Sequence, residues 1–246
     1  MSTSRVALVT GGARRLGADI VRSLAARGYH VLLHHGHSAE EAESLARELE
    51  TTYADASVRV VVMQEDLADA AAPARLVDAA IAHFGALDVV VSSASVMTAV
   101  PMAQVTPEQW VQTEAVNLRA PFFLMQAAAR AMRDDGVIVQ LSDHLAVETG
   151  FPHLMPHQIT KSALTQLVRA MATTLAPRIR VNAVAPGFVL APEHFGASRV
   201  AAFLTDVPLA RVGSPADVVH AIHYLIDAKY VTGEIVTVDG GRHLRR

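Results

Sequence analysis

The 246-residue chain contains no cysteine, which excludes a disulfide framework, a thiolate metal centre and a cysteine nucleophile together. It also lacks an apolar run long enough for a membrane span or a secretory leader. Met1 to Thr10 carries one arginine and then a short β-type burst, so a cytoplasmic protein is expected, with no membrane partner. Positive charge is not in excess. Lys and Arg total 21 against 24 Asp and Glu, a formal net charge of -3, whereas a nucleic-acid partner needs a basic face to neutralise phosphates. Pro/Gly/Ser-rich linkers, blocks of like charge and long internal repeats are missing too. With 51% hydrophobic and 18% charged residues, a chain of this length can bury one continuous core. A single domain over 1–246 is predicted.

What is present is a regular alternation. Apolar, β-branched bursts fall at Val6–Val9, His30–Leu33, Val58–Met63, Leu87–Val91, Val137–Leu141, Ile179–Val184 and Ile235–Val238. Such bursts read as strands buried on both faces. Between them lie helical patterns, such as Ala39 to Leu49, whose acidic start suits a helix N-terminus. Strand, helix, strand repeated throughout predicts an α/β fold: a Rossmann-type, doubly wound parallel sheet of about seven strands with helices on both faces. In such sheets ligands lie beyond the carboxyl ends of the strands, so functional residues are sought just after each burst.

Directly after the first burst comes Thr10-Gly11-Gly12-Ala13-Arg14-Arg15-Leu16-Gly17, followed by a helical pattern. Gly11 and Gly12 permit positive φ and close backbone approach to a pyrophosphate, Gly17 permits close helix packing, and the helix start supplies amide donors. A tight turn alone would need the same glycines, but its place in a strand–helix–strand unit favours a nucleotide. Arg14 and Arg15 add cations where a second phosphate on the adenosine ribose would lie. No Asp or Glu ends the second strand to hold a free 2′-hydroxyl, so NADPH is favoured over NADH.

The same turn resembles the fingerprint of the short-chain dehydrogenase/reductase family, with Arg15 where the usual middle glycine stands. Within that family it is similar to pteridine reductases and dihydromonapterin reductases, as are the second-strand end Leu33-His34-His35-Gly36-His37-Ser38 and the ending Asp239-Gly240-Gly241-Arg242-His243-Leu244-Arg245. The usual Arg of the second-strand end is His37 here. The resemblance implies that Gly11, Arg14, Arg15, Leu16, Gly17, His37 and Ser38 bind the phosphates and ribose of NADPH. Asp66 and Leu67 match the pair that holds adenine. Ser93, Ala94 and Ser95 stand in a loop where the family has Asn-Asn-Ala-Gly or Asn-Asn-Ala-Ser, and Pro186-Gly187 matches the turn beside the nicotinamide amide. Asn117 matches the helix asparagine of the proton relay.

The family's Tyr-x-x-x-Lys is replaced by His157-Gln158-Ile159-Thr160-Lys161. A spacing of four keeps His157 and Lys161 on one helix face, so an acid beside a cation survives while the acid changes identity. The resemblance gives Lys161 the nicotinamide ribose. Asp143 falls where pteridine reductases carry an Asp, fourteen residues before His157 where thirteen is usual. Either the loop has one extra residue or His144 takes the place; counting from Gly136 favours Asp143. A carboxylate there can relay a proton to a C=N nitrogen.

Asp143, His157, Lys161 and Asn117 are thus the catalytic candidates, and Ser95, Asp143, His157 and Phe188 the substrate contacts. No metal is expected. His34, His35 and His37 form one group and His144, His153 and His157 another, but neither carries the carboxylate pattern of a metal motif, and the first should lie at the surface or the cofactor edge. Phe122, Phe123 and Met125 read as core or subunit interface. The segment 187–210 is predicted to form a substrate lid, with Phe188 and Phe195 covering a flat ring. The resemblance further implies a homodimer or homotetramer, with Arg242 to Arg246 placed to reach a neighbouring subunit's site. Three activities stand open: reduction of a pterin-like C=N, reduction of another imine or a ketone, and NADP binding without turnover.

Overall fold

The computed structural model describes residues 5–146, 148, 151–190 and 195–244. Seven strands, β1 (Val6–Thr10), β2 (His30–His35), β3 (Val60–Gln64), β4 (Val89–Ser92), β5 (Gly136–Leu141), β6 (Ile179–Pro186) and β7 (Ile235–Val238), form one sheet. Its order is β3-β2-β1-β4-β5-β6-β7 and every pairing is parallel. Each burst read from the sequence is a strand, displaced at its ends by a few residues because hydrogen-bonding register, not hydrophobicity, sets where a strand stops.

Eight α-helices join the strands: α1 (Arg15–Ala26), α2 (Ala39–Thr52), α3 (Ala72–Phe84), α4 (Pro107–Glu114), α5 (Ala120–Ala131), α6 (Met155–Leu175), α7 (Ala197–Leu204) and α8 (Pro215–Asp227). Successive strand residues point to opposite faces, and the core divides accordingly. Ala7 and Val9 of β1 pack with α1, α2 and α8, whereas Val6 and Leu8 pack with α3, α5 and α6. Both faces are covered, which is why these strands are apolar throughout rather than alternating. Among the described residues no helix is long and apolar enough to cross a membrane.

The chain winds outward from β1 through β2 to β3, then returns to lay β4 on the other side of β1. The connections at the carboxyl ends of β1 and β4 therefore diverge and leave a crevice. One helix joint bears on it. Between α4 and α5 the residues Ala115–Arg119 form a π-helical turn, a local widening of the kind often found at functional sites, and it carries Asn117 inward.

Candidate active site

The Gly-rich turn is shaped by approaches that a side chain would block. A Cβ on Gly17 would lie 1.9 Å from the Gly11 carbonyl oxygen, and one on Gly11, at φ +66, would lie 2.9 Å from Ala94 Cα. Arg15 takes φ +52, the left-handed conformation that glycine adopts freely, and this is the position where the resembled fingerprint has glycine. Thr10 Oγ1 accepts hydrogen bonds from Ser93 N at 3.0 Å and Ala94 N at 3.2 Å, tying the β1 and β4 loops together. From below, His34 Nδ1 accepts from Gly11 N at 3.2 Å and its Nε2 lies 3.1 Å from the Glu65 carbonyl oxygen. His34 and His35 are buried rather than at the surface, and His34 lines the cavity beneath the turn, so the cofactor-edge alternative holds for it.

This turn opens into a cavity of about 1080 Å³ running along the carboxyl edge, at the upper end of small-molecule sites and spacious enough for a dinucleotide together with a substrate. Gly11, Arg14, Arg15, Leu16, Gly17, His37 and Ser38 line one end, Asp66 and Leu67 one side, and Ser93, Ala94 and Ser95 the floor. At the other end stand Asp143, His157, Lys161, Pro186, Gly187 and Phe188. Of the catalytic candidates, Asn117 is absent from the lining. It lies one layer behind, its side-chain oxygen accepting from Val96 N at 2.8 Å and Ser95 Oγ at 3.1 Å, and its amide donating to Val96 O at 2.9 Å. The same amide lies 3.4 Å from both His157 Nδ1 and Thr160 Oγ1, so it ties the β4 loop to α6 behind the cavity.

The chemistry is concentrated where β5 ends against α6. His157 and Lys161 are both buried. His157 Nδ1 lies 3.1 Å from the Val96 carbonyl oxygen and its Nε2 3.0 Å from Asp143 Oδ2. Asp143 Oδ1 accepts from Leu145 N at 2.9 Å and faces His144 Nδ1, also at 2.9 Å. One carboxylate therefore sits between two imidazoles. Burial, the largest single influence on Asp143, would raise its pKa, but the hydrogen bonds and charges of His144 and His157 outweigh it and hold the carboxyl well below the usual range. For His144 burial pulls down, and the Asp143 hydrogen bond with the charges of Asp143 and Glu148 reverses it, leaving the imidazole raised. Lys161 Nζ donates to the Leu141 carbonyl at 2.9 Å, and burial lowers it to about 8 against the pull of Asp143.

The far wall is aromatic. Phe188 packs on Phe203 with centroids 4.3 Å apart and on Phe195 at 6.1 Å, and Phe203 meets His144 edge-on. Residues 191–194 of the predicted lid lie outside the described residues. Arg242 packs within its own chain, buried, pairing with Glu148 at 3.2 Å and lying 4.0 Å over the Phe203 ring, where a desolvated carboxylate and a ring face hold it. Arg245 and Arg246 lie outside the described residues. Phe122 is exposed and Phe123 half-buried while Met125 is fully buried, so this α5 group divides between surface and core, with only the methionine in the core. Among the described residues no group of His, Asp or Glu is arranged to hold a metal.

Residues 11–243 match a family model described as Enoyl-(Acyl carrier protein) reductase. The chain is 35% identical to versicolorin reductase 1 of Aspergillus parasiticus, over 96% of this chain and 95% of that one. The chain belongs to the short-chain dehydrogenase/reductase family. A second relative in curated sequence, the 3-oxoacyl-[acyl-carrier-protein] reductase of Staphylococcus aureus, is 31% identical over 99% of this short-chain dehydrogenase/reductase and 100% of its own length. Among solved structures, a blue fluorescent protein from a metagenomic library in complex with NADPH superposes with a TM-score of 0.90 at 34% identity, covering 97% of each chain. FolM alternative dihydrofolate reductase 1 from Brucella canis, complexed with NADP, does so at 0.90 and 30%, covering 100% of this chain and 96% of that one.

Sequence reasoning left His144 as the alternative to Asp143, whereas the fold uses both. The adjacency Asp143-His144 after a buried strand was the available signal. Phe203, Arg199 and Glu65 also line the cavity and carried no motif, because they arrive from segments whose local pattern is ordinary surface helix or strand end.

Proposed function

We propose that this short-chain dehydrogenase/reductase reduces a C=N bond of a pterin-like heterocycle, of the dihydromonapterin, dihydrobiopterin or dihydrofolate class, with NADPH. The observation that carries the reading is the Asp143 carboxylate held between His157 and His144 in a cavity that Phe188, Phe195 and Phe203 also line. A flat ring fits against the aromatic side while its nitrogen takes a proton from the other. FolM, a dihydrofolate reductase by name that shares the whole fold, adds support.

The residues fit the cofactor. A Cβ on Gly11 or Gly17 would strike the turn's own neighbours, so glycine permits the tight strand-to-helix turn whose helix-start amides suit a pyrophosphate. Arg14, Arg15, His37 and Ser38 would take the ribose 2′-phosphate, Asp66 and Leu67 the adenine, Lys161 the nicotinamide ribose, and Pro186 and Gly187 the carboxamide, with Ser93 to Ser95 beneath. The bound cofactor supplies hydride. The chain supplies the proton. His157 Nε2 faces the Asp143 carboxylate, while Nδ1 lies near both the Val96 carbonyl and the Asn117 amide. The hydrogen on the Nε2 to Oδ2 contact is the one available to substrate. His157 takes the place of the family tyrosine by sharing that proton with Asp143, and Lys161 holds positive charge beneath them. Asn117 organises the loop carrying Val96.

The names of the curated relatives favour a second reading, reduction of a ketone by the same proton pair. An imine nitrogen is the more basic acceptor and asks less of the acid, which favours the pterin. The deciding assay is NADPH oxidation with 7,8-dihydrobiopterin, dihydromonapterin and dihydrofolate beside a 3-oxoacyl thioester and a polycyclic aromatic ketone. Turnover of the pterins, abolished in Asp143→Ala and reduced on the order of a hundredfold or more in His157→Phe, supports the proposal. Preference for the ketones moves the assignment to the second reading, and tight NADPH binding without any turnover sinks both. We further infer a lid over 187–210 and a homodimer or homotetramer, which sedimentation of the purified chain would measure.

A further inference from the structure

Four Lys and Arg side chains line the cavity: Arg14, Arg15, Lys161 and Arg199. Three of them already have partners, Arg14 in Glu41 at 3.4 Å, Arg15 in the Leu190 carbonyl oxygen at 3.1 Å and Lys161 in the Leu141 carbonyl oxygen at 2.9 Å. The same three are the cations that the proposed cofactor binding uses. Arg199, on α7, differs in both respects. It is exposed, its guanidinium carbon lies 4.0 Å from the centroid of the Phe195 ring, and among the described residues no carboxylate or carbonyl oxygen accepts from its side chain. A ring face steadies a guanidinium without consuming its N–H donors, so the fork that matches a carboxylate stays open. Arg242 makes the contrast. It lies 4.0 Å over Phe203, in the same aromatic group, but is neutralised by Glu148 at 3.2 Å and Asp206 at 3.8 Å.

Ring contacts run without a break from the proton-handling cluster to this arginine. His144, beside Asp143, meets Phe203 at 6.4 Å, Phe203 meets Phe188 at 4.3 Å, Phe188 meets Phe195 at 6.1 Å, and Arg199 lies over Phe195. A flat ring that is reduced beside Asp143 and lies along these phenylalanines directs its substituent toward Arg199. We propose that Arg199 receives a carboxylate at the end of the substrate remote from the reduced bond. Within the pterin class the chain then selects dihydrofolate, whose glutamate tail is anionic, over dihydrobiopterin and dihydromonapterin, whose side chains are uncharged. Charge also sets the direction of binding. The Asp143 carboxylate repels an anionic tail from the inner end of the cavity while the unpaired guanidinium attracts it outward, so the ring and not the tail faces Asp143. Because Arg199 is exposed, water and salt weaken the attraction, and the pairing is worth about tenfold in affinity.

The inference rests on the pterin reductase reading, and two measurements separate their failures. The first is steady-state kinetics with saturating NADPH on 7,8-dihydrofolate and 7,8-dihydrobiopterin, in wild type, Arg199→Gln and Arg199→Lys. The ratio of kcat/KM for dihydrofolate to that for dihydrobiopterin is expected to fall about tenfold in Arg199→Gln, through KM and not kcat, and to recover partly in Arg199→Lys. Rising salt should raise KM for dihydrofolate more than for dihydrobiopterin. An unchanged ratio, or a ratio indifferent to salt, overturns the tail site; so does a weaker Kd for NADPH in Arg199→Gln, which would give the guanidinium to the cofactor. If wild type turns over neither pterin, the pterin reading has failed and the tail site is judged by calorimetric titration of the NADP-loaded protein with folate and with biopterin. Folate binding that weakens with salt and drops about tenfold in Arg199→Gln supports it. Equal affinity for folate and biopterin, no binding of either, or folate binding that ignores the substitution overturns it.

Discussion

Three residues carry the unusual features of this site. Arg15 stands at φ +52, where a side chain costs about 1 kcal/mol relative to glycine, and its guanidinium meets the Leu190 carbonyl oxygen at 3.1 Å. Arg15→Gly should therefore raise stability by about 1 kcal/mol while weakening NADPH selectively. Melting temperature and the ratio of NADPH to NADH dissociation constants report the two effects, and equal weakening of both cofactors would remove Arg15 from the 2′-phosphate. The Asp143–His144 pair predicts a pH signature with a definite sign. Asp143 is lowered on folding, so its contribution is present above the ordinary Asp value and fades as pH falls through the lowered one. His144 is raised, so its contribution is full below the ordinary His value and fades as pH rises through the raised one. Stability from this pair thus peaks between about pH 4 and 6.5. Melting curves against pH should show that maximum in wild type and a flatter profile in Asp143→Asn.

At the scale of elements, the site depends on how tightly loops close on one another. α1 begins at Arg15, itself the left-handed residue, and the Gly17 Cα sits against the Gly11 carbonyl with no space for a methyl group. Gly17→Ala must push the helix start away from β1, at a cost of about 1–3 kcal/mol, and the amides facing the phosphates move with it. Loss of NADPH affinity greater than the loss of stability, compared by calorimetry and thermal unfolding, is the expected result; an unaltered Kd would mean that this turn does not hold the cofactor. The π-turn at Ala115–Arg119 has a similar task on the other loop, since Asn117 fastens Ser95 and Val96, and Val96 in turn supplies the acceptor for His157.

Over the whole molecule, the sheet order brings residues from the six connections that follow β1 to β6 to one edge, and the C-terminal turn closes them. Arg242 joins Glu148, after β5, to Phe203, at the end of α7, from a position 94 residues beyond Glu148. Arg242→Ala strands a largely buried carboxylate next to His144, so it should cost about 3 kcal/mol and raise KM for a flat substrate more than it lowers kcat, because Phe203 loses its support. Thermal unfolding and steady-state kinetics check both, and an unchanged KM would separate the aromatic wall from substrate binding.

The strands, the doubly wound order and the Gly-rich turn were legible in the sequence because each rests on local rules: burial on two faces demands continuous apolar runs, and a phosphate-binding turn demands glycine at fixed spacing. The four-residue interval from His157 to Lys161 was legible for the same reason, as helix geometry alone puts them on one face. What lay beyond reach was the direction of side chains whose partners come from distant segments. Asn117 turned toward a loop, Arg242 toward its own chain, His34 beneath the turn and His144 onto the far side of Asp143. Hydrogen bonds and ion pairs between residues far apart in sequence exist only once packing has set their distances. The chain's order of residues therefore determined which chemistry was available, and the tertiary structure decided which groups stand within hydrogen-bond reach of one another.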